Sequence, residues 1–261
     1  MLKEKEIDAI ADELYEAEKS CKPVDAIVGR YKDVGTEDAY KIQMKNVERR
    51  IDAGERVVGK KIGLTSLSMQ KLLGVFEPDY GHIFENMLIT DNRLSMSKVI
   101  SPKVEGEIAF IMGEDIAGPG VTPTDVIRAT DFLMPSIEVI DSRVRDWKIK
   151  IEDTISDNAS SACIVLGNRF LDLDEVDMLA TGMVLVKNGD IVSTGAAGAV
   201  MNNPVYAVTW LINKLAEFGV SVKEGEIILS GSLIAAVDVE EGDVVEVIFD
   251  RLGKVDLKVI P

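Results

Sequence analysis

Histidine is nearly absent from this chain: His82 is the only one in 261 residues. That excludes a metal centre built on two imidazoles and makes any Ser-His-Asp triad depend on one residue. Cysteine is almost as scarce, with only Cys21 and Cys163. Two thiols in a chain of this length form no disulfide framework and predict a reduced, cytoplasmic protein. Positive charge is short as well: 29 Lys and Arg stand against 45 Asp and Glu, so the formal charge is 29 − 45 = −16. With a pI near 4.6, this balance excludes a nucleic-acid backbone as partner and disfavours an anionic membrane surface. No run of about 18 apolar residues appears, so no membrane span is expected. The N-terminus is an acidic amphipathic stretch without the apolar block of a signal peptide. An anionic substrate then needs positive charge supplied locally.

What is present suits a folded core: 46% of residues are hydrophobic and 28% charged. Residues 1–55 predict a helical region. Ile7, Ile10, Leu14 and Tyr15 recur at helical spacing, and so do Tyr40, Met44, Val47 and Ile51. Thr36 is expected to cap the second helix and Gly54 to close it. Residues 56–261 predict a β-rich catalytic domain. Candidate strands are 56–59, 104–112, 136–140, 183–187, 191–194, 227–230, 244–249 and 255–259, with Asn188-Gly189 as a hairpin turn. Two further helices are expected, after Thr122-Pro123 and after Asn203-Pro204. Regular helices do not separate most strands. That predicts an α+β fold with a mixed or rolled sheet rather than a doubly wound parallel one.

The most informative segment is Pro102-Lys103-Val104-Glu105-Gly106-Glu107-Ile108-Ala109. On a strand, Glu105, Glu107 and Ala109 share one face, while Val104, Gly106 and Ile108 share the other. Both faces look buried, yet one carries two carboxylates. Two buried anions side by side are very unfavourable unless a cation joins them. Oxygen-only ligands one residue apart suit a hard divalent ion, Mg²⁺ or Mn²⁺. The competing reading is a strand end whose glutamates sit in water. A third acid, Glu138, lies inside the apolar run Pro135-Ser136-Ile137-Glu138-Val139-Ile140. A neighbouring strand could bring it against the first two, although pairing with Arg143 or a lysine is an equal alternative.

Other motifs carry less. Gly59-Lys60-Lys61-Ile62-Gly63 lacks the spacing of a phosphate loop, so nucleotide binding is rejected. Its lysines could instead aim an ammonium at an anionic substrate. Glu77-Pro78-Asp79-Tyr80-Gly81-His82 reads as a rigid turn with an acid at its tip, and Asp157-Asn158-Ala159-Ser160-Ser161 as a turn or helix cap. His82 reads as structural.

Together these segments resemble the 2-keto-4-pentenoate hydratase and 4-oxalocrotonate decarboxylase family, within the fumarylacetoacetate hydrolase superfamily. The resemblance rests on the order and spacing of Lys61-Ile62-Gly63-Leu64-Thr65, Glu77 to Gly81, Pro102 to Glu107, Pro135 to Arg143, Asp157 to Ser160 and Ile228-Leu229-Ser230-Gly231. It runs from about the second helix to the C-terminus. The chain departs from the family at Asn202-Asn203-Pro204 and at Ser230 to Ile234, which bear on the pocket wall.

The resemblance implies a partly open, mixed β-roll with an N-terminal helical region, and a homo-oligomer. It implies Mg²⁺ or Mn²⁺ held by Glu105, Glu107 and Glu138, with Lys61 and Asp79 as catalytic residues. Ser160, Leu64 and Thr65 would contact substrate. The implied activity, in aromatic-compound degradation, is water addition to 2-hydroxypenta-2,4-dienoate or a close homologue, giving a 4-hydroxy-2-oxo acid. The alternatives are decarboxylation of 4-oxalocrotonate, carbon–carbon bond hydrolysis, and a non-catalytic acidic partner of a sister pathway enzyme.

Overall fold

A computed structural model describes residues 1–67, 70–71 and 75–261. Three helices precede the first strand: α1 (Glu4–Ser20), α2 (Ile27–Arg30) and α3 (Thr36–Asp52). The α1 stripe of Ile7, Ile10, Ala11 and Leu14 packs with Ile27 and Ile42 in a small core of its own. Thr36 does not cap α3 as expected. Gly35 takes that place, and the carboxylate of Asp38 accepts from the Gly35 and Leu2 amides instead. Ile51, at the far end of the expected stripe, is 49% exposed. Gly54 does close the helix, at φ +90°.

Two sheets follow. The first contains β1 (Val57–Gly63), β2 (Asp79–Phe84), β4 (Lys103–Met112), β5 (Thr130–Ile140), β6 (Ser161–Leu166), β9 (Ile227–Leu229) and β10 (Val237–Asp238). Its order is β2-β1-β9-β4-β5-β6, with β10 pairing the start of β4. All pairs are antiparallel except β1 with β9, so the sheet is mixed. The second contains β3 (Arg93–Ser95), β7 (Gly182–Lys187), β8 (Asp190–Ala196), β11 (Val244–Phe249) and β12 (Gly253–Ile260), in the order β3-β12-β11-β7-β8. Asn188 (φ 55°) and Gly189 (φ 91°) make the β7–β8 turn, the left-handed pair a tight hairpin requires.

Gly106 explains how the sheets meet. A Cβ on it would lie 2.8 Å from Val247 and 2.9 Å from Met183, both on the second sheet. The bare backbone between the two glutamates therefore lets one sheet close on the other, and turns Glu105 and Glu107 away from that interface. Further helices among the described residues are α4 (Pro123–Ala129), α5 (Ile151–Ser156) and α6 (Pro204–Ala216). Thr122 and Asn203 cap α4 and α6, each followed by proline at the first helical position. The curled half-barrel with peripheral helices is the α+β roll expected from the sequence. Two segments differ from expectation. Asp79–His82 is not a turn but the start of β2, and Ser161, read as part of a polar turn, opens β6.

Candidate metal and substrate site

Across the β4–β5 pair Glu105 stands directly opposite Glu138, and Glu107 opposite Ser136. Register alone therefore gathers the three acids on one face, and one carboxylate oxygen from each lies within 4.8 Å of the others. Glu107 and Glu138 are fully buried, at 1% and 0% exposure, and Glu105 is half-buried. Lys61 reaches in from β1, its Nζ 3.2 Å from Glu138 Oε2 and donating to the Ala159 carbonyl at 3.1 Å. The Gly231 amide donates to Glu107 Oε2 at 2.8 Å.

Three ionised carboxylates beside one ammonium leave two negative charges in a buried place. Burial, and then the neighbouring acids, push Glu105 up to about 7 and hold Glu107 well above the usual carboxylate range. Burial raises Glu138 too, against the pull of Lys61. Among the described residues Glu107 Oε1 and Glu138 Oε1 have no hydrogen-bond partner, and Glu138 Oε2 has the Lys61 ammonium beside it. Buried acceptors without donors, close together and oxygen-only, are what a hard divalent cation needs. The residues present fit Mg²⁺ or Mn²⁺.

A cavity of about 520 Å³ opens beside the acids. Lys61, Leu64, Asp79, Glu105 and Ser160 line it, so five of the residues singled out in the sequence share its walls. Asp79 belongs there because of Gly63: a Cβ at that glycine would lie 2.0 Å from Asp79 Oδ1. Burial holds the Asp79 carboxyl above its ordinary value, with Lys61 opposing. Ser160 Oγ lies 3.3 Å from Thr154 Oγ1. Glu107 and Glu138 lie deeper, and Thr65 does not line the cavity either. Thr65 is buried behind the wall, where its Oγ1 would lie 2.2 Å from a Cβ on Gly231 (φ +104°). There it packs on the loop that holds Glu107.

Sequence reasoning missed several wall residues. Trp147, Ile149 and Ile151 give the cavity an apolar side, and Lys150 and Glu152 stand among them. No motif marks them: Trp147, Ile149 and Lys150 come from the connection between β5 and α5, and Ile151 and Glu152 from the first turn of α5. The Ala159 carbonyl is backbone and carries no side-chain signal. Arg143 takes the buried Asp157 as partner, with Nε 2.5 Å from Oδ1, which leaves Glu138 to Lys61.

Residues 84–260 match the family described as fumarylacetoacetate (FAA) hydrolase C-terminal. The chain belongs to the fumarylacetoacetate hydrolase family. Among curated relatives, it is 46% identical over 217 residues to a 2-hydroxypent-2,4-dienoate hydratase of Pseudomonas putida, covering 82% of this chain and 98% of that one. It is 42% identical over 246 residues to a 2-keto-4-pentenoate hydratase of Paraburkholderia xenovorans, covering 94% and 91%. Among solved structures, the 4-oxalocrotonate decarboxylase from Pseudomonas putida G7, complexed with magnesium and adipate, superposes with a TM-score of 0.96 at 35% identity, covering 100% of this chain and 99% of that one.

Proposed function

We propose that the protein is a hydratase that adds water to 2-hydroxypenta-2,4-dienoate or a close homologue, giving a 4-hydroxy-2-oxo acid. The observation that carries this reading is that Lys61 and Asp79 share one cavity wall with Glu105, at the edge of the buried acid cluster. The hydratase names of relatives 40–46% identical support it.

Glu105, Glu107 and Glu138 would hold Mg²⁺ or Mn²⁺, which when bound supplies a Lewis acid for the substrate's carboxylate and 2-oxygen. Lys61 brings a buried ammonium to a chain of strongly negative charge, and faces the negative charge that develops on the 2-oxygen. In the first stage the 2-hydroxyl gives up its proton and C5 gains one, leaving an α,β-unsaturated ketone. In the second, water adds its oxygen to C4 and C3 takes a proton. Asp79 is the proton carrier: burial raises its affinity for a proton, which suits a group that gives one up and takes one back. Ser160 orients the polar end. Ile140, Trp147 and Ile149 offer the hydrocarbon end an apolar surface. The balance is one water consumed and one C–O and one C–H bond formed across C4 and C3.

With Mg²⁺, the purified protein bleaches the ultraviolet absorbance of the dienoate. Glu107→Gln does not, and neither does the protein in excess chelator. Bleaching that persists unchanged in both overturns the assignment.

One observation favours a second reading, decarboxylation of a 2-oxo diacid. Lys150 adds a second cation to the cavity wall, able to face a distal carboxylate. Glu152 in the same wall opposes that carboxylate, so hydration stands first. Release of CO₂ from 2-oxo-3-hexenedioate separates the two.

A further inference from the structure

Three consecutive residues without glycine, Asn158, Ala159 and Ser160, hold φ of 52°, 52° and 53°. A left-handed run of this length is rare for L-residues and persists only where its surroundings over-determine it. The contacts that do so here are specific. Asn158 clamps the backbone of β2 at one residue: the His82 amide donates to its Oδ1 at 2.8 Å, and its Nδ2 donates to the His82 carbonyl at 2.9 Å. The Ser160 amide donates to the Asp157 carbonyl at 2.9 Å, and the Ser160 carbonyl accepts from Asp141 at 2.8 Å. At the centre of the run, the Ala159 carbonyl accepts the Lys61 ammonium at 3.1 Å.

The sheet is shaped for this approach. Gly81 is the cross-strand partner of Lys61. A Cβ there would lie 2.3 Å from the Asn158 carbonyl, so glycine leaves the space that the turn occupies. One strand pair therefore carries both the lysine and the seat of the turn that holds it.

We propose that Asn158 is a positioning residue, which fixes the Lys61 ammonium by pinning the left-handed turn to β2 so that the Ala159 carbonyl meets it. Asn158 itself is absent from the cavity wall, whereas Ala159 and Ser160 line it. The turn thus sets two of the wall's groups at once, the Lys61 ammonium and the Ser160 hydroxyl. Its consequence for turnover rests on the hydratase reading; its consequence for Lys61 does not.

Asn158→Gly is the deciding variant. Glycine accepts φ near +52° at no steric cost, so the substitution adds no strain of its own, while both clamp bonds disappear. Lys61 is 3% exposed, and acetylation by an N-hydroxysuccinimide ester, read by peptide mass, is slow in the parent protein. It speeds up at least tenfold in Asn158→Gly, measured well below the melting temperature of the variant, and amide exchange at His82 speeds up with it. On the dienoate, kcat falls by about a hundredfold, the scale of a misplacement near 1 Å, with KM within a factor of two. Asn158→Asp keeps the acceptor and loses the donor, and falls between the two in both measurements. Unchanged Lys61 acetylation in Asn158→Gly overturns the proposal, and so does an unchanged kcat in a protein that turns the dienoate over. If the parent does not turn it over, the hydratase reading fails and the acetylation rates alone decide the role of Asn158. Should Asn158→Gly melt early, Asn158→Asp carries the same comparison.

Discussion

Glu105 and Glu138 face each other across one antiparallel strand pair, with no residue between them and a single ammonium, Lys61, reaching the pair from a third strand. Like charges directly opposite on a sheet repel, and here they are buried too. Such a pair is retained only where something else neutralises it.

The first prediction concerns pH. Burial raises Glu105 from 4.5 to about 7, and Glu107 and Glu138 move the same way. A carboxyl whose affinity for a proton is higher folded than unfolded favours the fold below 4.5, and that contribution is lost as pH rises to about 7. Without a divalent ion, the melting temperature therefore falls between pH 4.5 and 7. With millimolar Mg²⁺ the fall is reversed at the upper end, because the ionised acids then have a partner. Thermal denaturation across this range, with and without Mg²⁺, checks it; a flat metal-free profile contradicts it.

The second concerns Gly231. Its amide holds Glu107 Oε2, and a Cβ there would collide with Thr65 Oγ1 at 2.2 Å. Gly231→Ala, strained further by φ +104°, displaces the loop and frees Glu107. Affinity for Mg²⁺, measured by calorimetry, falls about 10–100-fold, as for lost outer-shell support.

The third concerns Gly63. A Cβ at this position would lie 2.0 Å from Asp79 Oδ1 and 3.5 Å from the Lys61 ammonium. Gly63→Ala pushes the Asp79 carboxyl off its seat at a stability cost of about 1–3 kcal/mol. On the hydratase reading, kcat falls by about a hundredfold. Steady-state kinetics beside denaturant melts separate the two effects. A stable variant with full turnover shows that Asp79 is not needed where it sits.

The fourth concerns the buried pair behind the site. Arg143 Nε lies 2.5 Å from Asp157 Oδ1, and the Arg143 amide donates to Oδ2 at 2.9 Å. Arg143→Ala leaves Asp157 buried without its cation and costs about 3–5 kcal/mol. Urea denaturation measures it. A loss below about 1 kcal/mol is the outcome expected of a surface pair instead.

Much was legible from alternation alone. Residue type along 103–112 fixed which side chains share a face, whereas the close approach at Gly106 emerged only with the second sheet in place. The Asn188-Gly189 hairpin and the Pro-initiated helices follow from local backbone chemistry, and the structure has them where expected. β5 shows where locality stops. The expected strand began at Ser136. The observed strand runs from Thr130 through Pro135, whose carbonyl still accepts from Gly167 at 2.8 Å.

Composition and spacing by themselves determined an acidic α+β chain, poor in histidine and cysteine, with three glutamates on two apolar strands and a lysine before a glycine. Only the tertiary structure decided that Glu138 stands across from Glu105, that Asp157 rather than Glu138 takes Arg143, and that Thr65 supports Gly231 instead of lining the cavity. The division has a physical cause. Side-chain alternation and turn chemistry act over a few residues, and a sequence states them. Strand register, partner choice among buried charges and the reach of a backbone group join segments far apart in the chain, 124 residues in the case of Glu107 and the Gly231 amide. Those are settled only when the whole chain packs.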